Sequence, residues 1–522
     1  MKINKRSTAV SRLKRASWGA LALALLAGLA QAISLAAPGS GAPLWWLQLP
    51  ALAVLVALLD RSQCAVSAAA LGLVFATAWM CGTFWWLFIS MYTYGGLAAP
   101  LAALAVLALG AFVALFYAAA CAAWRAWARG HWLWRALVFA ALWLLAELCR
   151  GQWLSGFPWG AAGYSHVDGP LAALAPLVGV YGMSFMAALL AALLAFALRR
   201  PVNWGAGGAV ALLLAVLVWA PWVPAQGWSR STGTLDVALL QGNIPQDEKF
   251  QPGSGVPVAL QWYGERLQSS RASLVIAPET ALPMLAQQLP AGYLDAVRKP
   301  FTEGSRAALV GIPLGSFADG YTNSVQGWVP GAAQPYRYDK HHLVPFGEFI
   351  PPLFRWFTDL MRIPLGDFNR GAIGQPSLRW QGQRIAPNIC YEDLFGEELG
   401  ARFRRPDEAP TILANLSNIG WFGNSVAIDQ HLHISRLRAL EFSRPMVRAT
   451  NTGATAIIDH EGRVTQQLER HTRGVLEGQV QGREGTTPYA WWVSRAGLWP
   501  LWGLGLLLAA LAWWHVRRRH SR

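Results

Sequence analysis

Charge is scarce in this chain. Of 522 residues only 14% are charged while 54% are hydrophobic, which excludes an ordinary soluble protein. Cysteine is scarcer still, at five: Cys64, Cys81, Cys121, Cys149 and Cys390. The first four lie in or at the ends of apolar runs, where a thiol acts as a small hydrophobe. Only Cys390 belongs to the polar part, so counting excludes an internal disulfide there. Acids are few beside bases, 28 against 43, for a formal net charge of +15. Such a balance would suggest nucleic acid, but its placement argues against that. Lys and Arg crowd the two ends and a few short loops between apolar runs, the positive-inside pattern of a membrane protein.

What is abundant is apolar length and tryptophan, of which there are 28. Residues 1–15 carry Lys2, Lys5, Arg6, Arg12, Lys14 and Arg15 and no acid. Runs suited to spanning follow at about 18–37, 44–59, 64–90, 95–123, 133–149, 170–198 and 206–222, with an eighth at 498–516. A spanning helix needs about 20 apolar residues. With the N-terminus inside, the inner loops contain Arg61, Arg125, Arg129, Arg135, Arg199 and Arg200. The outer loops 38–43 and 91–96 contain neither Lys nor Arg; Arg150 is the one outer exception. Parity and charge therefore predict a seven-span membrane domain over 1–224. A polar, extracytoplasmic domain follows over 225–490, then a last span and basic tail over 491–522 that return the C-terminus to the cytoplasm.

The polar block reads as mixed α/β. Short β-branched runs recur at 235–243, 273–279, 307–313, 384–390, 411–417 and 454–460, with helical patterns such as "LDAVRKPFTEG" and "HLHISRLRALEFSR" between some of them. Three runs end at or near a reactive side chain: Glu279 in "LVIAPETALP", Lys340 and then Glu348 in "YRYDKHHLVPFGEFIP", and Cys390 with Glu392 in "IAPNICYEDLF". Ligand sites in α/β sheets gather beyond the carboxyl ends of strands. A thiol attacks only as thiolate. A carboxylate can take its proton, and an ammonium can stabilise the anion and then the oxyanion. The segment "YEDLFGEELGARF" reads as a helix start that would aim N–H groups at the sulfur. These residues together predict acyl transfer through a thioester.

The motifs carry a resemblance. The polar block is similar to the nitrilase superfamily through "APETALP", "DKHHLVPFGEFIP" and "NICYEDLFG". With "QGNIPQDEKF", "SNIGWFGNS", "QHLHISRLRALEFSRPMVRATNTG" and the membrane-side "GFPWGAAGYSH", the whole chain resembles the apolipoprotein N-acyltransferase family. The resemblance implies an α-β-β-α sandwich beside a polytopic helical membrane domain, in the bacterial inner membrane with the catalytic domain periplasmic. It assigns Glu279 as general base, Lys340 as oxyanion-stabilising lysine and Cys390 as nucleophile. Glu348 and Glu392 match supporting glutamates, and Tyr391 and Trp421 match aromatic positions near the site. It implies a phospholipid acyl donor and a diacylglyceryl-modified apolipoprotein acceptor, with no cofactor. One departure is visible: Ile419 stands where the family often has Asp.

Other features read as ordinary. His431 and His433 are not spaced as a helical zinc pair, and no third ligand accompanies them, so no metal is expected. The aromatics of "GFPWGAAGYSH" read as interfacial belt residues, with the lining of an acyl-chain path as the rarer alternative. Glu147, at a span end, is expected to snorkel. The competing functions are a membrane-anchored amidase or nitrilase and a non-enzymatic lipid transporter.

Overall fold

The computed structural model describes residues 16–199, 201–219, 227–350 and 367–520. The basic segment Lys2 to Arg15, Arg200, the end of the seventh expected span, the expected boundary at 224–225 and the last residue of "DKHHLVPFGEFIP" lie outside them. Helices form at all eight expected runs: α1 (Trp18–Leu35), α2 (Trp45–Arg61), α3 (Ala65–Phe84), α4 (Ala99–Trp127), α5 (Trp132–Gln152), α6 (Ala175–Ala197) and α7 (Trp204–Trp219), with the eighth at the far end of the chain. Among the described residues, six of the eight, all but α2 and α7, are long and apolar enough to cross a membrane. Ser17 starts α1 by accepting from the Ala20 N–H at 3.3 Å.

The polar part continues with β1 (Ser229–Gln241), α8 (Gly255–Ser269), β2 (Leu274–Ala277), α9 (Tyr293–Thr302), β3 (Ala307–Ser316), β4 (Gly320–Trp328) and β5 (Tyr336–Asp339). Then come β6 (Leu378–Trp380), β7 (Gln383–Ile389), β8 (Ile412–Ser417), α10 (Ala427–Phe442), β9 (Met446–Thr450), β10 (Ala456–Ile458), β11 (Val464–Gln467) and β12 (Gly474–Gly485). Finally α11 (Pro488–Ala496) leads into α12 (Trp499–His520).

The strands form two six-stranded sheets, ordered β12-β1-β2-β3-β4-β5 and β11-β10-β9-β8-β7-β6. The central strands run parallel in each, β1, β2 and β3 in the first and β7, β8 and β9 in the second. Period-two alternation decides which face each side chain covers. Leu235, Val237, Leu239, Leu274 and Ile276 point between the sheets, where they meet Ile385, Ile412, Leu416 and Val447. Ala238, Leu240, Val275 and Ala277 point outward beneath α8 and α9. Central strands are thus buried on both faces, which is why they read as continuous apolar runs.

The outer face of the second sheet is different. Ala386, Leu413 and Met446 belong to one hydrophobic cluster that includes Ile434 and Leu437 of α10 and extends from Ala24 of α1 to Ala512 of α12. Sheet, α10 and membrane helices share one core. The basic loops lie at the opposite end of the bundle, where Asp60 pairs with both Arg135 and Arg199 and Arg125 donates to the Ser62 carbonyl at 2.7 Å.

Two expectations about this junction fail. "GFPWGAAGYSH" is no lipid-facing belt: Trp159, Ala161, Tyr164, Ser165 and His166 are buried. It docks the catalytic lobe, with Trp159 Nε1 donating to Gln430 Oε1 at 2.8 Å and Tyr391 OH donating to the Gly156 carbonyl at 3.1 Å. Glu147 does not snorkel; it is buried and accepts from the Ala162 N–H at 3.0 Å. The same loop explains the outer exception Arg150, which donates to the carbonyls of Phe157 and Trp159 at 2.7 and 2.6 Å. Its charge is consumed inside the protein and does not contradict the loop asymmetry.

Candidate active site

Four strands deliver a polar residue just past their carboxyl ends. Glu279 follows β2, Lys340 follows β5, Cys390 follows β7 and Asn418 follows β8. β2 and β5 point the same way in one sheet and β7 and β8 in the other, so these residues collect at one mouth.

Lys340, 1% exposed, donates from Nζ to Glu279 Oε1 at 3.2 Å and to Glu348 Oε1 at 2.9 Å. The Asn323 amide bridges the same two carboxylates at 2.7 and 2.6 Å. Glu279 Oε2 accepts from the Asn418 N–H at 2.9 Å, and Glu348 Oε2 from the Val344 N–H at 2.8 Å. Burial alone would keep Glu279 neutral, but Lys340, Asn323 and Lys249 together hold it below the ordinary glutamate range. Burial opposes charge on Lys340 too, and Glu279 and Glu348 outweigh it and raise its pKa. The partly exposed Cys390 goes the other way. Burial pushes its thiol up to about 12, the Glu279 carboxylate adds to this, and Lys340 pulls against it. At neutral pH the site therefore holds a carboxylate, an ammonium and an intact thiol.

Cys390 sits at φ +50°, in the left-handed region that costs a non-glycine residue about 1–3 kcal/mol. Glu392 holds this turn by accepting from Ile389 N–H at 2.7 Å, His341 N–H at 2.6 Å, His342 N–H at 3.2 Å and Tyr338 OH at 2.7 Å. Burial raises the Glu392 pKa against the pull of those donors. From the other side, His431 Nε2 lies 3.3 Å from the Cys390 carbonyl and 2.8 Å from Asp393 Oδ1. Arg448 donates to His431 Nδ1 at 3.0 Å, so that nitrogen accepts and the ring proton resides on Nε2. His433 is similarly engaged, 2.7 Å from the Gly41 carbonyl.

The expected helix start after Cys390 is a five-residue 3₁₀ turn, Cys390–Leu394, followed by a single helical turn at Gly396–Gly400. Phe395, at φ −102° and ψ 80°, separates the two, and Glu392 and Asp393 are engaged on the turn itself. The segment that follows Cys390 therefore forms no long helix to aim a dipole at the sulfur.

The family described as apolipoprotein N-acyltransferase N-terminal domain matches residues 23–193, and that described as carbon-nitrogen hydrolase matches residues 236–489. A relative named apolipoprotein N-acyltransferase from Verminephrobacter eiseniae is 60% identical, covering 91% of this chain and 92% of its own. Another of that name from Ralstonia nicotianae is 47% identical over 91% of this chain and 90% of its own. The chain belongs to the apolipoprotein N-acyltransferase family. Among solved structures, an amidase of the nitrilase superfamily from Nesterenkonia aligns at 16% identity and a TM-score of 0.37, covering 53% of this chain and 100% of that one.

The remaining expected residues separate. Glu348 and Glu392 lie within the site's hydrogen-bond network, as described. Tyr391 turns away from it, stacked on Phe157 with ring centroids 6.4 Å apart. Trp421 lies on the turn after Asn418, edge-on to Tyr94 at 5.9 Å. Ile419, at the departure from the family pattern, is buried in the core shared with the membrane helices. Sequence reasoning missed Asn323, Asn418 and Lys249. Asn323 lies in the polar run "GYTNSVQGW", which has no reactive signature, and Lys249 lies in "QGNIPQDEKF", a motif noted without singling out its lysine.

Proposed function

We propose that this N-acyltransferase moves an acyl chain from a phospholipid, through a thioester on Cys390, to the N-terminal amine of a diacylglyceryl-cysteine lipoprotein. The observation that carries the reading is the convergence of Glu279, Lys340 and Cys390 at one mouth of a sandwich whose second sheet shares its core with the membrane helices.

In the first half-reaction the sulfur attacks the ester carbonyl carbon while Glu279 takes the thiol proton. With the thiol held near 12, proton removal and attack go together. Lys340 stabilises the oxyanion, a kind of contact worth about 3–4 kcal/mol. As the intermediate collapses the acyl carbon–oxygen bond breaks, the proton on Glu279 passes to the departing alkoxide, and a lysophospholipid leaves. In the second half the acceptor amine attacks the thioester carbonyl and Glu279 takes its proton. The carbon–sulfur bond breaks, the proton returns to sulfur, and an amide is released.

Both substrates carry chains whose removal from a bilayer costs about 0.8 kcal/mol per CH₂. A mouth at the membrane surface avoids that cost. The topology that fits is eight spans, the lobe outside the inner membrane and both termini in the cytoplasm. Its support is that the basic loops gather at the end of the bundle away from the lobe.

Intact-mass measurement after exposure to phospholipid tests the chemistry, with Cys390→Ala as control. An added acyl mass on the parent chain alone, discharged only by an amine acceptor, is expected. Free fatty acid without transfer would identify a hydrolase, and an adduct on Cys390→Ala would remove the thioester.

A further inference from the structure

Lys249 is a buried cation at this site for which the mechanism above has no use. Its residue is 1% exposed, yet its Nζ has a main-chain carbonyl as hydrogen-bond acceptor, that of Glu279, at 3.0 Å. Among the described residues no carboxylate lies within ion-pair distance of it. The aromatic face of Phe250, 5.8 Å away, is the other polarisable group at its head. Burying a cation without a counter-ion is expensive, and such a group is usually retained for what its charge does.

The loop that carries it is firmly held. Asn451 accepts from the Ile244 N–H at 3.0 Å and donates to the Ile244 carbonyl at 2.8 Å. Asn418 Nδ2 donates to Gln246 Oε1 at 2.8 Å. The same Asn418 whose N–H meets the Glu279 carboxylate thus anchors the turn that brings Lys249 to the Glu279 main chain. The ionisable groups that face Lys249 are Glu279, after β2, and Cys390, after β7. Lys340 and Glu348 lie one step further, through the Glu279 carboxylate, while Asp247 and Glu248 on its own turn are exposed.

We propose that Lys249 is a positioning residue of the acyl-transfer site, a second cation that fixes the Glu279 main chain and biases its carboxyl toward the proton-accepting carboxylate. The inference rests on the reading of Glu279 as the base. Without Lys249 the cluster around Lys340 would hold two carboxylates, Glu279 and Glu348, against the single charge of Lys340. With it the charges balance before the proton moves, and the carboxylate remains ready to receive the thiol proton.

The proposal has a pH signature. Burial brings the Lys249 pKa down to about 7, so its charge is present below that pH and lost above it. The acylation rate of Cys390 by phosphatidylethanolamine in detergent micelles would be followed from pH 5 to 9 for the full-length parent, Lys249→Met and Lys249→Arg. Alkylation of Cys390 by iodoacetamide, resolved at the peptide level by mass, would be followed in parallel without substrate. Lys249→Met should be slowed about ten-fold below pH 7 in both reactions, with the deficit closing above pH 8. Lys249→Arg should restore the rate at low pH. A Lys249→Met deficit that is constant across pH, or absent, overturns the proposal; melting temperatures of the three proteins separate a loss of fold from a loss of charge. If the parent forms no acyl adduct at any pH, the acyl-transfer reading fails, and the alkylation profile still decides the role of Lys249.

Discussion

The Asn418 N–H donates to Glu279 Oε2 at 2.9 Å, a bond that joins the mouth of one sheet to the mouth of the other. Glu279 comes from the first sheet and Asn418 from the second, so the carboxylate cannot drift from the Cys390 turn unless the sheets separate. The Glu279 carboxylate is held by two donors, the Asn323 amide and the Asn418 N–H, in addition to Lys340, and its placement comes from the sandwich.

Replacing Glu279 with Gln keeps the size of the side chain and removes its carboxylate. Acylation of Cys390 by phospholipid should fall by about 10²–10⁴-fold, measured by quenched-flow and intact mass. A rate within ten-fold of the parent would mean that another group takes the proton.

Lys340→Met leaves Glu279 and Glu348 buried without their cation, a loss of about 3–5 kcal/mol for a broken buried pair. Because the folded-state pKa of Glu279 is depressed, its stabilising contribution is present above the ordinary glutamate value of 4.5 and lost as pH falls through the folded value. The parent should therefore lose stability on acidification below about pH 4.5, and Lys340→Met should show a weaker acid dependence. Thermal unfolding between pH 3 and 8 checks both; parallel curves for the two proteins would count against the pairing.

The Cys390 thiol, raised to about 12, should be sluggish toward a small electrophile at pH 7. Iodoacetamide should label it at least about ten-fold more slowly than free cysteine, whose pKa is about 8.5. Rapid labelling at neutral pH would show a resting thiolate and a different division of labour with Glu279.

Tyr391→Phe removes one hydrogen bond to the Gly156 carbonyl and nothing from the carboxylate–ammonium cluster. A stability loss of about 1 kcal/mol is expected, with the rate of Cys390 acylation at saturating phospholipid nearly unchanged. A collapse of that rate in a stably folded variant would place the phenol in the chemistry.

Gly179 lies inside α6 at φ +64°, and the Tyr489 ring comes within 2.3 Å of where a Cβ would stand. The neighbouring Val180 N–H leaves the helix to donate to Glu441 Oε1 at 2.8 Å. Gly179→Ala should destabilise the fold through both strain and clash, by about 1–3 kcal/mol from the backbone alone, and so lower the melting temperature. An unchanged melting temperature would show that the break in α6 is not needed for docking.

Much of this arrangement can be read from the residues, and what cannot has identifiable causes. β2, β3, β7 and β8 are legible because both their faces are buried, which leaves unbroken apolar runs, those of β2 and β7 leading to Glu279 and Cys390. β4 escapes because its Gly, Thr, Asn, Ser and Gln lie at and near the mouth, where the first sheet is polar; Asn323 escapes with it. Glu392, Asp393, Glu397 and Glu398 imitate the acidic first turn of a helix, yet the first two are spent on the Cys390 turn. The tryptophans of "GFPWGAAGYSH" imitate an interfacial belt because burial against a second domain and burial in headgroups favour the same side chains. Lys249 gives no signal at all, since nothing in a linear motif says that a lysine will be enclosed.

The shared core has a practical corollary. A fragment beginning near residue 227 and stopping before α12 would retain every residue of the mouth, but it would present to water the face of α10 that docks on α6 and carries Gln430 to Trp86 and Trp159. Excision would produce a sticky, aggregating lobe. The lobe and the membrane helices share one hydrophobic core, and removing the helices strips one side of it.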